Sequence, residues 1–384
     1  MKRILDYEEM QELLDSLDKN IIKKQNPIGY TNFGYPIDHY SYGSGDNHVI
    51  VTAGTHSAEL ITNIFVIRFM EKLSNKEIFI DPNVYTIDFI PFVNPEGTDI
   101  VTSTIRTLIS RDLSENEVQT YCLTYYRNSF IEGKYDDRDI KLQHWMFRYA
   151  DENIIKNDNL KAQIKKIIDE NNLPKGCLIN WSSNGRGVDL NSNIISSKYI
   201  DRVKSGEEIY NKLHLNTIRR DLLGPVGRPF YDKPGELEKE NEALLRFYEK
   251  TKNEYNLIGS IIYHSCGNIV YYLNKFDNNP WNENYSAEDI EINKRVAKKY
   301  ADIAKYKLNG REEYTTMDSM LKTLYPVSIL VELGGVRATP LSQFIDFDLE
   351  GSNEDFKYVY SKIINDNTNA LLQTIEEMLK INNG

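Results

Sequence analysis

Four apolar runs rich in β-branched residues alternate along this chain with amphipathic segments, and this alternation narrows the possible folds more than any other feature. The runs are typical of buried strands and comprise HVIVTA, VYTIDFIPFV (84–93), LIGSIIYHS (257–265) and VSILVELGG (327–335). The segments between them include LITNIFVIRFMEKL and ELEKENEALLRFYEKTKNEY, with apolar residues at helical spacing. Intermixed strands and helices predict an α/β fold with one central mixed, twisted sheet flanked by helices.

The domain organisation follows from chain length and from one change in composition. A chain of 384 residues without repeats or low-complexity linkers predicts a single domain over residues 1–384. Residues 100–175 are charged, aromatic and helix-compatible, and they include the amphipathic stretch KLQHWMFRYADENIIKNDNLKAQIKKIIDENN. We therefore predict a helical insertion over residues 100–175 within that domain.

Composition excludes several classes of function. A net charge of −11 argues against a nucleic-acid partner, because phosphate binding requires clustered Lys and Arg. No apolar run approaches a membrane-spanning length, so no membrane span is expected. The start, MKRILDYEEMQELLDSLDK, lacks the apolar core of a signal peptide, which predicts a cytoplasmic protein unless a leader has been removed. The three cysteines are widely spaced and predict neither a disulfide framework nor a cysteine zinc site.

The segment AGTHSAEL (53–60) places two potential metal ligands, His56 and Glu59, where a predicted strand becomes a predicted helix. In open α/β sheets, ligands bind in the crevice at the carboxyl ends of the strands. The alternative is a turn without chemistry, in which Ser57 caps the helix that follows. The segment by itself leaves both interpretations open.

Two further residues in predicted core strands favour the metal interpretation. His264 ends one strand, and Glu332 is a carboxylate inside the otherwise apolar strand SILVELGG. Burying an unpaired carboxylate is costly, so Glu332 requires either a partner such as Arg337 or a cleft that contains a metal. A site of His56, Glu59 and His264 would leave the fourth position of zinc for water. Glu332, outside that ligand set, would then take a proton from the water.

Taken together, the motifs resemble the zinc carboxypeptidase (funnelin) family, especially its bacterial branch that acts on γ-D-glutamyl bonds of cell-wall peptides. The matching segments occur in family order over residues 28–345 and are GTHSAE, FVNPEG, GRGVDLNSN, GPVGRPFYDKPGELEKENEAL, IIYHSCGNIVYY and VELG. The resemblance implies a zinc carboxypeptidase-like fold and one Zn²⁺ ion held by His56, Glu59 and His264. It also implies hydrolysis of an amide bond in a small peptide or muropeptide, with Glu332 as the general base that later protonates the leaving amine.

The resemblance assigns three further residues. Arg186 would polarise the scissile carbonyl and stabilise the developing oxyanion. Asn191 matches the family asparagine that hydrogen-bonds the substrate carboxylate. Tyr314 lies where the family has a mobile tyrosine, and Tyr325 competes with it for that role.

Two departures from the family pattern concern the binding of a terminal carboxylate. Ser192 stands where the family has an arginine that clamps this carboxylate, and Ala58 occupies a position that is often arginine. Either Arg219, Arg220 or Arg228 supplies the clamp, or the substrate presents no free terminal carboxylate there. We expect Ser192 to line the substrate site and the enzyme to depend little on a free α-carboxylate.

Two other functions remain open at the level of the sequence. The chain would bind wall peptides without catalysis if its zinc site were purely structural, although such a module would not need Glu332. A zinc deacylase acting on N-acyl amino acids is the alternative within enzymes.

Overall fold

The structure of the protein is a computed structural model that describes residues 5–111, 154–170, 178, 181–191, 193, 237–273, 286–311, 327–335 and 359–383. These residues contain an eight-stranded sheet, a two-stranded sheet and seven helices. One sheet thus organises a single α/β domain. No helix among them is long and apolar enough to cross a lipid bilayer.

The large sheet has the strand order β1-β4-β6-β5-β7-β10-β8-β9, and the four strands predicted from the sequence lie together at its centre. Central strands β6, β5, β7 and β10 run parallel to one another, whereas β4 joins β6, and β8 joins β10, in antiparallel ladders. The predicted mixed sheet is therefore confirmed. The strand bounds are β1 Ile22–Lys24, β2 Gly29–Tyr30, β3 Pro36–Ile37, β4 Tyr40–Gly43, β5 Asn47–Thr52, β6 Tyr85–Ile90, β7 Asn256–His264, β8 Ile269–Leu273, β9 Lys307–Arg311 and β10 Ser328–Glu332.

Helices cover both faces of this sheet, as the strand alternation requires. Along β5, Val49 and Val51 pack into the larger core cluster, whereas Ile50 between them packs into a second cluster under helix α5. Successive side chains of a strand point to opposite faces, so a strand with both faces apolar must be covered twice. The helices are α1 Tyr7–Asp15, α2 Leu60–Ser74, α3 Pro95–Arg111, α4 Asp158–Glu170, α5 Lys239–Glu254, α6 Ala287–Ala304 and α7 Val359–Asn382.

The segment NPEG, which follows the predicted strand of residues 84–93, begins a helix. Helix α3 starts at Pro95, and the side-chain oxygen of Asn94 accepts a hydrogen bond from the Gly97 amide at 3.0 Å. Asparagine before the first turn and proline at its first position are both helix-start signals. The helix brings Glu96, which is fully buried, next to the loop of residues 181–191.

Most of the described part of the predicted insertion, residues 100–175, is helical. Helix α3 extends to Arg111, and α4 covers Asp158–Glu170. Residues 112–153 and 171–177 lie outside the described residues. The assignment of this region as an insertion therefore stays a prediction.

Candidate active site

The predicted ligands meet at the carboxyl ends of three neighbouring parallel strands. The turn that holds His56 and Glu59 follows β5, His264 is the last residue of β7, and Glu332 is the last residue of β10. His264 and Glu332 are register partners in the parallel ladder, so their side chains project from the same face of the sheet. Parallel pairing therefore places residues from three distant parts of the chain at the carboxyl ends of neighbouring strands.

His56, Glu59 and His264 form a cluster in which each residue offers one ligand atom and these atoms lie within 4.8 Å of one another. The Glu59 carboxylate lies between the two imidazoles, with Oε1 at 3.0 Å from His56 Nδ1 and Oε2 at 3.0 Å from His264 Nδ1. Glu59 and His264 are buried, and His56 is partly exposed. Two imidazole nitrogens and one carboxylate form a donor set of the kind that catalytic zinc uses, so these residues fit the ion.

The turn between β5 and α2 depends on a glycine. Gly54 has φ +70°, and a Cβ atom there would lie 2.2 Å from the side-chain nitrogen of Asn63. The Gly54 amide donates to the Thr62 hydroxyl at 3.1 Å, and the Gly54 carbonyl accepts from the Asn94 amide at 3.0 Å. These bonds tie the turn to α2 and to the start of α3, which holds His56 and Glu59 in place.

Ser57 does not cap α2, contrary to the alternative considered from the sequence. Glu59 occupies the N-cap position and makes no capping bond through its side chain. The Ser57 hydroxyl instead donates to the carbonyls of Trp181 and Ser183, the latter at 3.3 Å. Ser57 therefore fastens the metal-ligand turn to the loop of residues 181–191.

Electrostatic interactions within the cluster favour a bound cation. Burial by itself would lower the pKa of His56, but the carboxylates of Glu59 and Asp189 raise it to about 10. Burial would raise the pKa of Glu59, but His56 and His264 hold it well below its usual value. Charged carboxylates that attract protons onto imidazoles equally attract a divalent ion, which displaces those protons when it binds.

Asp189, part of the motif GRGVDLNSN, contacts the cluster although the sequence assigned it no role. Its Oδ1 lies 3.1 Å from His56 Nε2 and also accepts a hydrogen bond from the Asn191 amide at 3.0 Å. A carboxylate on the outer nitrogen of a metal-binding histidine fixes the tautomer and the orientation of the ring. The available signal was a lone carboxylate between Val188 and Leu190, similar to the signal that singled out Glu332.

The loop of residues 181–191 is built around Asn184, which is fully buried. Its side-chain nitrogen donates to Glu238 Oε2 at 2.9 Å and to Glu240 Oε1 at 3.2 Å. Its side-chain oxygen accepts from the amides of Arg186 and Val188, each at 3.0 Å. Asn184 thus shapes the loop internally and anchors it to the start of α5, so that Asp189 faces His56.

Three buried carboxylates, Glu96, Glu238 and Glu240, surround this loop. Glu96 Oε2 accepts from the Gly185 amide at 3.0 Å, and a Cβ at Gly185 would lie 2.5 Å from that oxygen. Burial, and then the carboxylates of Glu96 and Glu238, raise the pKa of Glu240 to about 8. The trio therefore carries less negative charge near neutral pH than its composition indicates.

The other predicted site residues differ in how far the structure describes them. Arg186 Nη1 lies 3.4 Å from Glu238 Oε1, beside the loop that carries Asp189. Asn191 is buried at the end of the same loop. Their predicted roles on the substrate stay predictions. The residues that lie outside the described part of the chain are Ser192, Tyr314, Tyr325, Arg219, Arg220, Arg228 and Arg337.

This arrangement suits metal-assisted hydrolysis. Three protein ligands would leave a coordination position for water on a bound metal, and Glu332, at the end of the adjacent strand, would supply a carboxylate outside the ligand set. The Asp189 carboxylate contacts Nε2 of His56, one of the three candidate ligands. A metal, a nearby base and an oriented ligand are the components of water activation at a metal centre.

Comparisons with known proteins agree with this chemistry. Residues 10–331 match the model of a protein family described as zinc carboxypeptidase. The matched segment includes the three clustered ligands and ends one residue before Glu332. No curated protein sequence matches the chain.

Several solved structures are similar to this one. Bovine thrombin-activatable fibrinolysis inhibitor, in complex with a tick carboxypeptidase inhibitor, has a TM-score of 0.53 at 13% identity, with 98% of this chain and 95% of that chain covered. Carboxypeptidase A from Helicoverpa armigera has a TM-score of 0.51 at 13% identity, with 98% and 73% covered. A murein-tripeptide amidase from Escherichia coli O157 has a TM-score of 0.41 at 13% identity, with 92% of each chain covered. The first two likenesses show a common fold.

Proposed function

Because this chain belongs to the zinc carboxypeptidase family, we propose that it hydrolyses an amide bond of small peptides at a centre formed by His56, Glu59 and His264. Membership makes it a metallopeptidase, and the proposal concerns the residues and the substrate. The observation that carries it is the cluster of these three side chains, formed at the strand ends where Glu332 is the register partner of His264.

Each residue of the proposed site has a separate role in hydrolysis. When bound, zinc would supply Lewis acidity towards water and towards the scissile carbonyl. Glu332 takes a proton from the attacking water and delivers it to the nitrogen of the leaving amine. Asp189 accepts a hydrogen bond from His56 Nε2, which leaves Nδ1 of that ring for the metal. Arg186 donates to the developing oxyanion.

The finer proposal is that the substrates are muropeptides or other peptides with γ-D-glutamyl linkages. Its support is the set of motifs that resemble the bacterial branch of the family. Ala58, which is buried beside the metal ligands, brings no cation to the site. Together with Ser192 it favours a substrate that is not held through a free α-carboxylate.

A panel of peptides tests the proposal. Purified protein should contain one zinc ion per chain and should turn over γ-D-glutamyl peptides faster than α-linked peptides of the same composition. Glu332→Gln should retain zinc and lose roughly 10²–10⁴-fold in turnover, since that is the usual contribution of a general base. His264→Ala should lose both zinc and activity.

The controls test the third ligand, the general base and the substrate preference separately. Stoichiometric zinc in His264→Ala would show that the third ligand is misassigned, and wild-type turnover in Glu332→Gln would end the mechanism. Equal turnover of α-linked peptides would reject the γ-D-glutamyl preference alone. If an N-acyl amino acid assayed beside these peptides is hydrolysed and the peptides are not, the chain is a deacylase.

A further inference from the structure

A hydrogen-bonded network of tyrosines and one asparagine ends at the turn that follows Glu332. We propose that Tyr306 and Asn367 are positioning residues that fix this turn and thereby hold Glu332 at its working distance from the metal centre. Neither residue belongs to the ligand cluster. The inference rests on the proposed function, in which Glu332 is the base.

The turn after Glu332 is held mainly by main-chain contacts. The Leu333 amide donates to the His264 carbonyl at 2.7 Å, which continues the ladder between β10 and β7. Gly334 has φ +72°, a backbone conformation that favours glycine, and its carbonyl accepts from the Gly267 amide at 2.7 Å. The chain therefore turns sharply within two residues of the base.

The Tyr306 side chain reaches this turn from outside the sheet. The Gly334 amide donates to the hydroxyl of Tyr306 at 3.3 Å. Burial raises the pKa of Tyr306 to about 12, so this hydroxyl stays neutral and acts as a hydrogen-bond partner. Tyr306 therefore limits how far the turn moves away from α6 and α7.

Tyr306 is in turn anchored by a fully buried residue of α7. Asn367 donates from its side-chain nitrogen to the Tyr306 hydroxyl at 2.9 Å and to the Ile363 carbonyl at 2.7 Å. Its side-chain oxygen accepts from the Tyr300 hydroxyl at 2.9 Å, and the Tyr300 hydroxyl lies 3.1 Å from that of Tyr263. Because the amide uses both ends, its orientation is fixed from two directions.

The two ends of the network lie at the two strand ends of the site. Tyr263 directly precedes the ligand His264 on β7, and Tyr306 contacts the turn that directly follows Glu332 on β10. A general base must lie within hydrogen-bond distance of the water that it deprotonates. A displacement of about 1 Å from such a geometry costs on the order of a hundredfold in rate.

A matched pair of variants separates positioning from core stability. Tyr306→Phe and Tyr300→Phe each remove one hydroxyl from the same network, but only Tyr306→Phe removes the acceptor of the Gly334 amide. With zinc loaded, Tyr306→Phe should lower kcat by roughly tenfold, part of the loss expected for a displaced base, and should leave KM within about twofold. Tyr300→Phe should keep kcat within about twofold of wild type, and Asn367→Ala should fall between the two.

Amide hydrogen exchange supplies a readout that does not depend on turnover. The Gly334 amide should exchange faster in Tyr306→Phe than in Tyr300→Phe. The neighbouring Leu333 amide is the internal reference, since its bond to the His264 carbonyl involves no network residue and its exchange should stay unchanged.

Two results would overturn the inference. Equal losses of kcat in the two phenylalanine variants would mean that the network stabilises the core without positioning the base. Equal Gly334 exchange in both variants would show that Tyr306 does not hold the turn. If wild type hydrolyses none of the peptides, the proposed function fails, and the exchange comparison alone then decides whether Tyr306 fixes the turn.

Discussion

The interpretation of Glu332 depends on the residue that pairs with it on the adjacent strand. A carboxylate at the end of the apolar strand SILVE is unfavourable if it is buried without a partner. The parallel ladder pairs this residue with His264, so the two side chains project from the same face of the sheet. Asp189 is a second example, because its carboxylate contacts Nε2 of His56, on the opposite side of the ring from Glu59.

Ser192 carries a prediction about specificity at the same scale. A bidentate arginine on a carboxylate is roughly twice as strong as a neutral hydrogen bond, and serine removes that interaction. The kcat/KM values for a free-acid peptide and for its C-terminal amide should therefore differ by less than about tenfold, or ~1.4 kcal/mol. Ser192→Arg should increase the preference for the free acid, and Ser192→Lys should do so less, because its ammonium cannot form the planar fork.

A strong preference for the free acid would mean that a residue other than Ser192 binds the terminal carboxylate. If wild type prefers the free acid by more than about a hundredfold, or ~2.7 kcal/mol, a cation elsewhere binds the carboxylate. Arg219, Arg220 and Arg228 would then be the residues to replace. The substitutions at Ser192 would in that case have little effect on the preference.

At the scale of elements, the start of α5 is joined to the loop that supports the metal ligands. Glu238 and Glu240 accept hydrogen bonds from the Asn184 side chain, and Glu96 at the start of α3 accepts one from the Gly185 amide. One oxygen of Glu240 has no hydrogen-bond partner among the described residues. An acid in this position is more stable with its proton than without it.

Glu240 therefore makes stability depend on pH. Burial, and then the carboxylates of Glu96 and Glu238, raise its pKa from 4.5 to about 8, so the folded protein keeps a proton that the unfolded chain releases. Between those two values the folded state binds more protons, and the free energy of unfolding must fall as pH rises. Glu240→Gln releases no proton, so from pH 5 to pH 9 it should lose less stability than wild type, by roughly 1–3 kcal/mol, since an ionised buried group without a full set of partners costs at least that much.

The measurement is thermal unfolding from pH 5 to pH 9. Glu242→Gln is the matched control, because Glu242 lies on the same helix but is exposed and pairs only with Arg246 among the described residues. Its pH profile should follow that of wild type. A profile of Glu240→Gln that is parallel to wild type over the whole range would contradict the proposed proton.

At the scale of the whole molecule, the cluster of His56, Glu59 and His264 joins segments that are far apart in the chain. Glu59 lies 205 residues before His264, and its carboxylate accepts from both the His264 ring and the Ser265 amide. A ligand that binds only the folded arrangement stabilises the whole domain by mass action. Zinc should therefore act on global stability as well as on catalysis.

Zinc removal tests this coupling. Chelation should lower Tm, and zinc at about 100 times its Kd should restore about 2.7 kcal/mol of stability. His264→Ala should lose this response. His48→Ala should keep it, because His48 binds the buried carboxylate of Asp88 at 2.6 Å, outside the ligand cluster. A zinc response that survives in His264→Ala would place the stabilising ion elsewhere.

The sequence by itself determined the α/β class, the four central strands and helices α2 and α5, because these depend on local periodicity, and its motifs, through their resemblance to the zinc carboxypeptidase family, pointed to the group of His56, Glu59 and His264. Only the tertiary structure decided that His264 and Glu332 are register partners, that Asp189 contacts His56, and that Ser57 binds the loop at Trp181 instead of capping α2. Each of these contacts joins residues far apart in the chain. Their geometry is fixed by strand pairing and by the packing of loops on buried polar groups, and neither is encoded in any short stretch of sequence.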